Sequence, residues 1–172
     1  MPEQPHTSLL KQREIEARIV GPIYRAFAKE IGEERARAII AGVIRELAHE
    51  SGCDAARRVG GNDIAHFAQA KERWQQDDAL TIQTLRQDEQ HLNFNVTRCR
   101  YAEMYMALGL PELGGVLSCG RDGAMGEGFN PELKLRRTQT IMEGASHCDF
   151  RYTLEQKKSV SEGAPDPGPG AV

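Results

Sequence analysis

The sequence predicts an α+β domain in which N-terminal helices pack on an antiparallel sheet of about four strands, with further helices inserted between two hairpins. Apolar residues recur at the helical period over the first third of the 172-residue chain, and from about residue 79 they alternate at a period of two. Helices followed by half-polar strands are typical of this class, because an antiparallel sheet needs one covered face.

Two long helices are expected first. In the earlier one every fourth residue is apolar, a stripe that we expect to face the core: Ile15, Ile19, Ile23, Phe27 and Ile31. Pro22 should kink or interrupt this helix. The second helix starts near Glu33 and should stop at Gly52. Its apolar face is formed by Ile39, Ile40, Val43, Ile44 and Leu47.

The remaining elements follow from caps, turn residues and alternation. Asn62 or Asp63 can cap a third helix that packs through Ile64, Phe67 and Trp74. A strand at 92–96 should pair with 80–85 as a hairpin, followed by a helix from about residue 98 to Gly109 and a short one from Pro111. "CGRDGAMGEGFNP", from Cys119, is interpreted as a glycine-rich loop, and two more strands are expected at 133–142 and 147–154.

Composition excludes several classes of function. The net charge of -3 gives no electrostatic footprint for nucleic acid, and no run approaches the roughly 20 apolar residues of a membrane span. The N-terminus lacks the layout of a signal peptide, so we expect a cytoplasmic protein whose four cysteines are reduced. One domain is predicted over residues 8–156, with disordered ends at 1–7 and 157–172. The expected partner is a small-molecule substrate, and self-association is left open.

Candidate chemistry clusters around three of the cysteines. Cys99 adjoins Arg100 at a strand-to-helix junction, Cys119 opens the glycine-rich segment, and Cys148 lies in the last strand. Glycines let a backbone approach a ligand and present N–H groups to an anion. Arg121, Asp122 and Glu127 add charge to the same segment.

The last strand has two faces, and the sequence leaves open which one lines a pocket. Cys148, Phe150 and Tyr152 share one face, whereas His147, Asp149 and Arg151 share the other. If the first face is inward, Cys148 meets the substrate and its base comes from elsewhere. If the second is inward, Asp149 can orient His147 as a base.

Two further expectations concern the thiols. A thiolate at Cys99 or Cys119 should be favoured by the positive charge of Arg100 or Arg121. A divalent metal such as zinc is an alternative, since Cys and His suit it, but no paired ligand spacing is present.

Two C-terminal segments resemble the L-2-amino-thiazoline-4-carboxylic acid hydrolase family. The similarity is carried, in order, by "RCRYAEMY", "CGRDGAMGEGFNP", "RTQTIMEG" and "HCDFRY", between residues 98 and 152. The N-terminal helices match the family in length and helical character.

The resemblance implies a hydrolase that acts on carbon–nitrogen bonds other than peptide bonds, in cyclic amidines. Its substrate would be a small thiazoline-like carboxylate, opened to carbamoyl-cysteine. Motif position and chemistry then suggest Cys119 or Cys148 as the thiol participant, and His147, Asp149 or Asp122 as acid and base. Cys99 and Glu127 would contact the substrate, with Arg100, Arg121 or Arg137 binding its carboxylate. The alternative of a different class is a small-molecule-sensing or metal-binding domain that uses the same pocket.

Overall fold

The computed structural model describes residues 7–155, so the predicted disordered ends lie outside the described residues except for Thr7. Helices precede and cover a four-stranded antiparallel sheet of order β1-β2-β4-β3, which confirms the α+β prediction. None of the helices in this part of the chain is long and apolar enough to cross a membrane.

The first two helices are longer than expected. Helix α1 (Leu9–Ile31) begins at Ser8, whose hydroxyl accepts a hydrogen bond from the N–H of Lys11, and it continues through Pro22. Helix α2 (Glu33–Val59) continues through Gly52 and ends at Gly60, where φ is +80°. The predicted interruption at Pro22 and stop at Gly52 are therefore wrong. Gly52 is buried, and a residue without a side chain is needed there because a later helix packs closely against this point of α2.

The apolar stripe of α1 does not face the core. Its five members remain between 37% and 59% exposed: Ile15, Ile19, Ile23, Phe27 and Ile31. The core side of α1 is formed instead by Ala17, Gly21 and Tyr24. Gly21 lies against the side chain of Leu110. In α2, Ile44 is buried, but Ile39, Val43 and Leu47 are about half exposed. The prediction failed because small residues let these helices pack closely, which periodicity alone does not reveal.

Helix α3 (Ile64–Lys71) is capped by Asp63, whose carboxylate accepts the N–H of His66 at 2.9 Å. A 3₁₀ segment at Glu72–Asp78 leads into the sheet. The strands are β1 (Leu80–Gln87), β2 (His91–Cys99), β3 (Leu133–Arg136) and β4 (Cys148–Leu154). The hairpin of β1 and β2 is confirmed, whereas β3 is shorter than the expected 133–142 because a 3₁₀ turn forms at Ile141–Glu143.

The segment between β2 and β3 is helical throughout most of its length. It contains α4 (Arg100–Ala107), α5 (Pro111–Gly114), a π-helical turn (Gly115–Cys119) and α6 (Arg121–Phe129). The predicted glycine-rich loop is thus mostly helix α6. A Cβ at Gly128 would lie 2.0 Å from the carbonyl oxygen of His49, and one at Gly52 would lie 2.1 Å from that of Met125. Gly52 and Gly128 therefore serve close contact between α2 and α6, whereas Gly126 lies against the ring of Tyr152.

One sheet face carries the core. The pairs Phe94–Phe150 and Leu92–Tyr152 are in register between β2 and β4, and the rings of Phe94 and Phe150 stack at 4.7 Å. Phe67 of α3 meets the ring of Tyr152 edge-on at 4.7 Å. These contacts seat the helices on the sheet and leave space at the Cys148 end of β4.

Candidate active site

A cavity of about 310 Å³ lies between the helices and the apolar face of the sheet. That volume is at the lower end of the range for small-molecule sites, roughly 300–1,000 Å³. Its lining is drawn from α1, α2, α3, the 3₁₀ segment at Glu72–Asp78, the sheet, α4, the π-helical turn and α6. Among the polar lining residues are Arg13, Ser51, Asp54, Arg58, Arg73, Tyr101, Ser118, Arg121, Asp122 and Arg137, together with three thiols.

The structure brings together six of the ten predicted site residues. Those that line the cavity are Cys99, Cys119, Arg121, Asp122, Arg137 and Cys148. Cys148 is buried and faces the helices, with Phe150 beside it on the same face. The Cys148 face of the last strand therefore looks into this cavity, whereas Asp149 and Arg151 line a second pocket on the opposite face of the sheet.

The other four predicted residues lie elsewhere. The carboxylate of Asp149 accepts the N–H groups of Thr138 and Gln139, each at 2.9 Å, on the opposite side of β4 from the Cys148 face. His147 lies within hydrogen-bonding distance of the Ser146 hydroxyl. These two residues are not among those lining the cavity.

Arg100 and Glu127 are also absent from the cavity wall. The Arg100 guanidinium donates to the carbonyl oxygen of Asp77 at 2.5 Å, which ties α4 to the 3₁₀ segment. Glu127 lies on the exposed side of α6, 3.9 Å from the ammonium of Lys134. Arg100 and Glu127 therefore contact other residues of the protein outside the cavity.

Asp122 is the central acid of the cavity. Its carboxylate accepts from the Arg137 guanidinium at 2.5 Å, and the same guanidinium donates to the carbonyl oxygen of Cys119 at 2.9 Å. Arg137 also lies over the ring of Phe150, 5.0 Å from its centroid. Burial raises the pKa of Asp122 to about 6, although the charge of Arg137 opposes that shift. An acid that titrates there can both accept and donate a proton near neutral pH.

A second charged group joins α1 to α6. Glu16 pairs with Arg13 on its own helix and accepts from Arg121 at 3.2 Å. The Arg121 Nε–H also donates to the carbonyl oxygen of Leu117 at 2.8 Å. Two guanidiniums therefore share one carboxylate, and both line the cavity. Burial and the nearby charge of Arg13 lower the pKa of Arg121, as expected of a site with an excess of positive charge.

The three cavity thiols are not activated. Burial raises the pKa of Cys99 to about 11 and that of Cys119 well above its usual range. Burial also raises the pKa of Cys148, against the opposing hydrogen bond that its sulfur accepts from the N–H of Ile141 at 3.2 Å. The expectation that Arg100 or Arg121 favours a thiolate at Cys99 or Cys119 is therefore wrong. For Cys119, desolvation of the sulfur outweighs the charge of Arg137, and the charge of Asp122 raises the pKa further.

Sequence reasoning missed the contribution of the first helices. Arg13 of α1, Arg58 of α2, and Arg73 and Trp74 of the 3₁₀ segment all line the cavity. Periodicity gave no signal for them, since charged residues on a helix normally indicate its solvated face.

No group of three or more His, Cys, Asp or Glu side chains within residues 7–155 is arranged to hold a metal ion. The three thiols share one cavity without forming such a group.

Fold and site together define an α+β domain with a small, arginine-rich and thiol-lined cavity between its helices and sheet. Residues 12–152 match the sequence model of the L-2-amino-thiazoline-4-carboxylic acid hydrolase family. The chain belongs to that family.

Two further comparisons bear on the fold and on relatives. The fold is similar to the phenol-responsive sensory domain of the transcription activator PoxR, whose crystal structure contains phenol, with a TM-score of 0.52 and 14% identity. The likeness covers 79% of this chain and 73% of that one. At such an identity it concerns the fold alone. No curated protein matches the sequence.

Proposed function

We propose that this protein hydrolyses a small cyclic C=N carboxylate of the thiazoline type, as in the opening of L-2-amino-thiazoline-4-carboxylate to carbamoyl-cysteine. The observation that carries the proposal is the meeting of Asp122, two arginine groups and three thiols around one cavity in a chain of this family. The reaction needs a base for water, an acid for the leaving group and a cation for the carboxylate.

The group formed by Arg13, Glu16 and Arg121 is the proposed carboxylate site. Two guanidiniums against one carboxylate leave about one positive charge on a wall where water is limited. A substrate carboxylate would neutralise it, and a guanidinium can bind both carboxylate oxygens at once. The sequence had already suggested Arg121 for binding the substrate carboxylate, and this assignment adds Arg13.

Asp122 is the proposed acid and base. As the ionised carboxylate it accepts a proton from water while the water oxygen bonds to the amidine carbon of the N-protonated ring. The carbon–sulfur bond then breaks, Asp122 returns the proton to the sulfur, and the remaining hydroxyl proton passes to solvent as the urea carbonyl forms. The Arg137 guanidinium holds the carboxylate in position for both steps.

The thiols have a supporting role in this proposal. Neutral Cys119 and Cys148 present polarisable sulfur to the ring without attacking it, because their raised pKa values keep them protonated at neutral pH. Attack by Cys119 would require Asp122 to remove the thiol proton first. That covalent route would be revealed by a carbamimidoyl adduct of the protein.

The test is turnover of the thiazoline carboxylate and related cyclic amidines by the purified protein. Product is followed by chromatography with mass detection, since the protein carries four cysteines of its own. Asp122→Asn should abolish turnover, whereas Cys119→Ala should reduce it less and form no adduct. Cys53→Ser is the matched control, because Cys53 lies outside the cavity lining. Absence of turnover of every ring compound would contradict the proposal, and zinc bound in proportion to activity would replace it with a metal mechanism.

A second function is favoured by two observations. The PoxR domain with a similar fold is a sensory domain whose crystal structure contains phenol. In addition, the raised pKa of a cavity thiol such as Cys99 keeps it protonated at neutral pH. In this reading the cavity binds a small carboxylate without turning it over. Titration calorimetry with the same ring compounds separates the two, since tight binding without product supports the sensor and binding with product supports the hydrolase.

A further inference from the structure

Most of the exposed large hydrophobic side chains within residues 7–155 lie on the first two helices. Of the ten large hydrophobic residues exposed in the described part of the chain, eight belong to α1 or α2. They are Ile15, Ile19, Ile23, Phe27 and Ile31 on α1, and Ile39, Val43 and Leu47 on α2. We name these residues the helical ridge surface.

Their spacing has a geometric consequence. Both sets recur at intervals of four residues, so each forms a ridge of the kind that fits between the corresponding ridges of another helix at a crossing angle near −50°. The four residues of α1 from Ile15 to Phe27 are 47–59% exposed. Such a ridge is unused within the chain itself, because the core side of α1 is formed by Ala17, Gly21 and Tyr24.

The exposed area of the helical ridge surface is also close to what a contact with a second copy of the chain requires. With roughly half of each residue exposed, the eight side chains present about 700 Å², close to the roughly 800 Å² that each partner contributes to a standard interface. A surface that is apolar and lacks charge along its ridge is complementary to itself, as a two-fold symmetric contact requires. An apolar area of this extent on a monomer would promote aggregation.

We propose that the helical ridge surface is the contact between two copies of this chain. The dimer brings α1 of one copy against the ridge surface of the other, with Ile19 and Ile23 near the middle of the α1 ridge. Helix α1 also carries Arg13 to the cavity from its other side, so the contact holds the helix that closes one wall of the site.

The experiment measures mass in solution by sedimentation equilibrium and light scattering between about 1 and 100 µM. The wild type should have twice the 19.1 kDa chain mass. A double variant, Ile19→Glu with Ile23→Glu, should be monomeric at 100 µM, a weakening of at least about 100-fold, since charges at the centre of an apolar interface are strongly unfavourable. Leu85→Glu on β1 is the matched control, because Leu85 is 49% exposed but lies outside the ridge surface. It should remain dimeric.

Circular dichroism and the melting temperature establish that each variant is folded. Val43→Glu, on the α2 ridge, provides a second variant should the first unfold. A monomeric wild type at 100 µM would overturn the proposal and leave the surface to another partner. A double variant that stays folded and dimeric would overturn it as well, by placing the contact elsewhere.

Discussion

Replacement of Gly52 by alanine tests whether close contact between α2 and α6 explains the glycine at this position. Gly52 lies inside α2, where α6 crosses it. An alanine Cβ there would lie 2.1 Å from the carbonyl oxygen of Met125 and 2.7 Å from the backbone nitrogen of Phe129. Ordinary contacts of a Cβ begin at 3.4 Å, and both neighbours are backbone atoms that cannot rotate away. Helix α6 must therefore move by about 1 Å.

Two opposing terms set the magnitude. Alanine in a helix interior is favoured over glycine by about 1 kcal/mol. Overpacking against backbone costs about 3 kcal/mol, the upper part of the usual range, so the net loss for Gly52→Ala is about 2 kcal/mol. Gly42 supplies the control within the same helix, as a Cβ there would meet nothing within 4 Å. Gly42→Ala should therefore stabilise the protein by up to about 1 kcal/mol.

The measurement is urea and thermal unfolding of the two variants beside the wild type. For a domain of this size Gly52→Ala should lower the melting temperature by about 6 °C, and Gly42→Ala should raise it by about 3 °C. Because α6 carries Arg121 and Asp122, the shifted helix should also weaken ligand binding in the Gly52 variant. A Gly52→Ala protein as stable as Gly42→Ala would refute the close contact of α2 and α6.

Three other predictions concern the site. Activity of the wild type should rise with pH through about 6 as Asp122 ionises, and a pH–rate profile without that limb would contradict its role as the base. Alkylation followed by mass spectrometry should label Cys99 of the native protein about 100-fold more slowly than a free thiol, since its pKa is raised from 9.0 to about 11; equal rates would contradict its burial. Asp149→Asn should cost about 1 kcal/mol of stability because it weakens the hydrogen bonds to Thr138 and Gln139, while turnover stays near that of the wild type. Loss of turnover in a stable Asp149→Asn protein would show instead that Asp149 takes part in the reaction.

Local sequence signals predicted the strands in which polar and apolar residues alternate, and the helix that begins at a capping residue. The strand Leu92 to Val96 and its pairing with β1 follow from period two and a turn, and the cap at Asp63 from its position before an apolar run. The same signals failed for helix length, because Pro22 and Gly52 normally end helices. Here the neighbouring helices stabilise the segment enough to continue it.

The candidate site was predictable where it depends on one strand or one family motif. The alternation of β4 separated Cys148 from His147, and the motif segment held Cys119, Arg121 and Asp122. The pKa values of the thiols were not predictable, since they depend on how much water reaches each sulfur. Nor was Arg13, which lies more than 100 residues from Arg121 in sequence and meets it through Glu16.

The sequence by itself determined the α+β class, the sheet hairpin, the two faces of the last strand and the family, because each depends on local periodicity or on an ordered set of motifs. The tertiary structure alone decided which face of β4 meets the cavity and that the glycine-rich segment is a helix pressed against α2. It also decided that the α1 stripe faces outward. Those outcomes depend on how closely distant elements approach, and close approach is a property of packed surfaces that no single segment encodes.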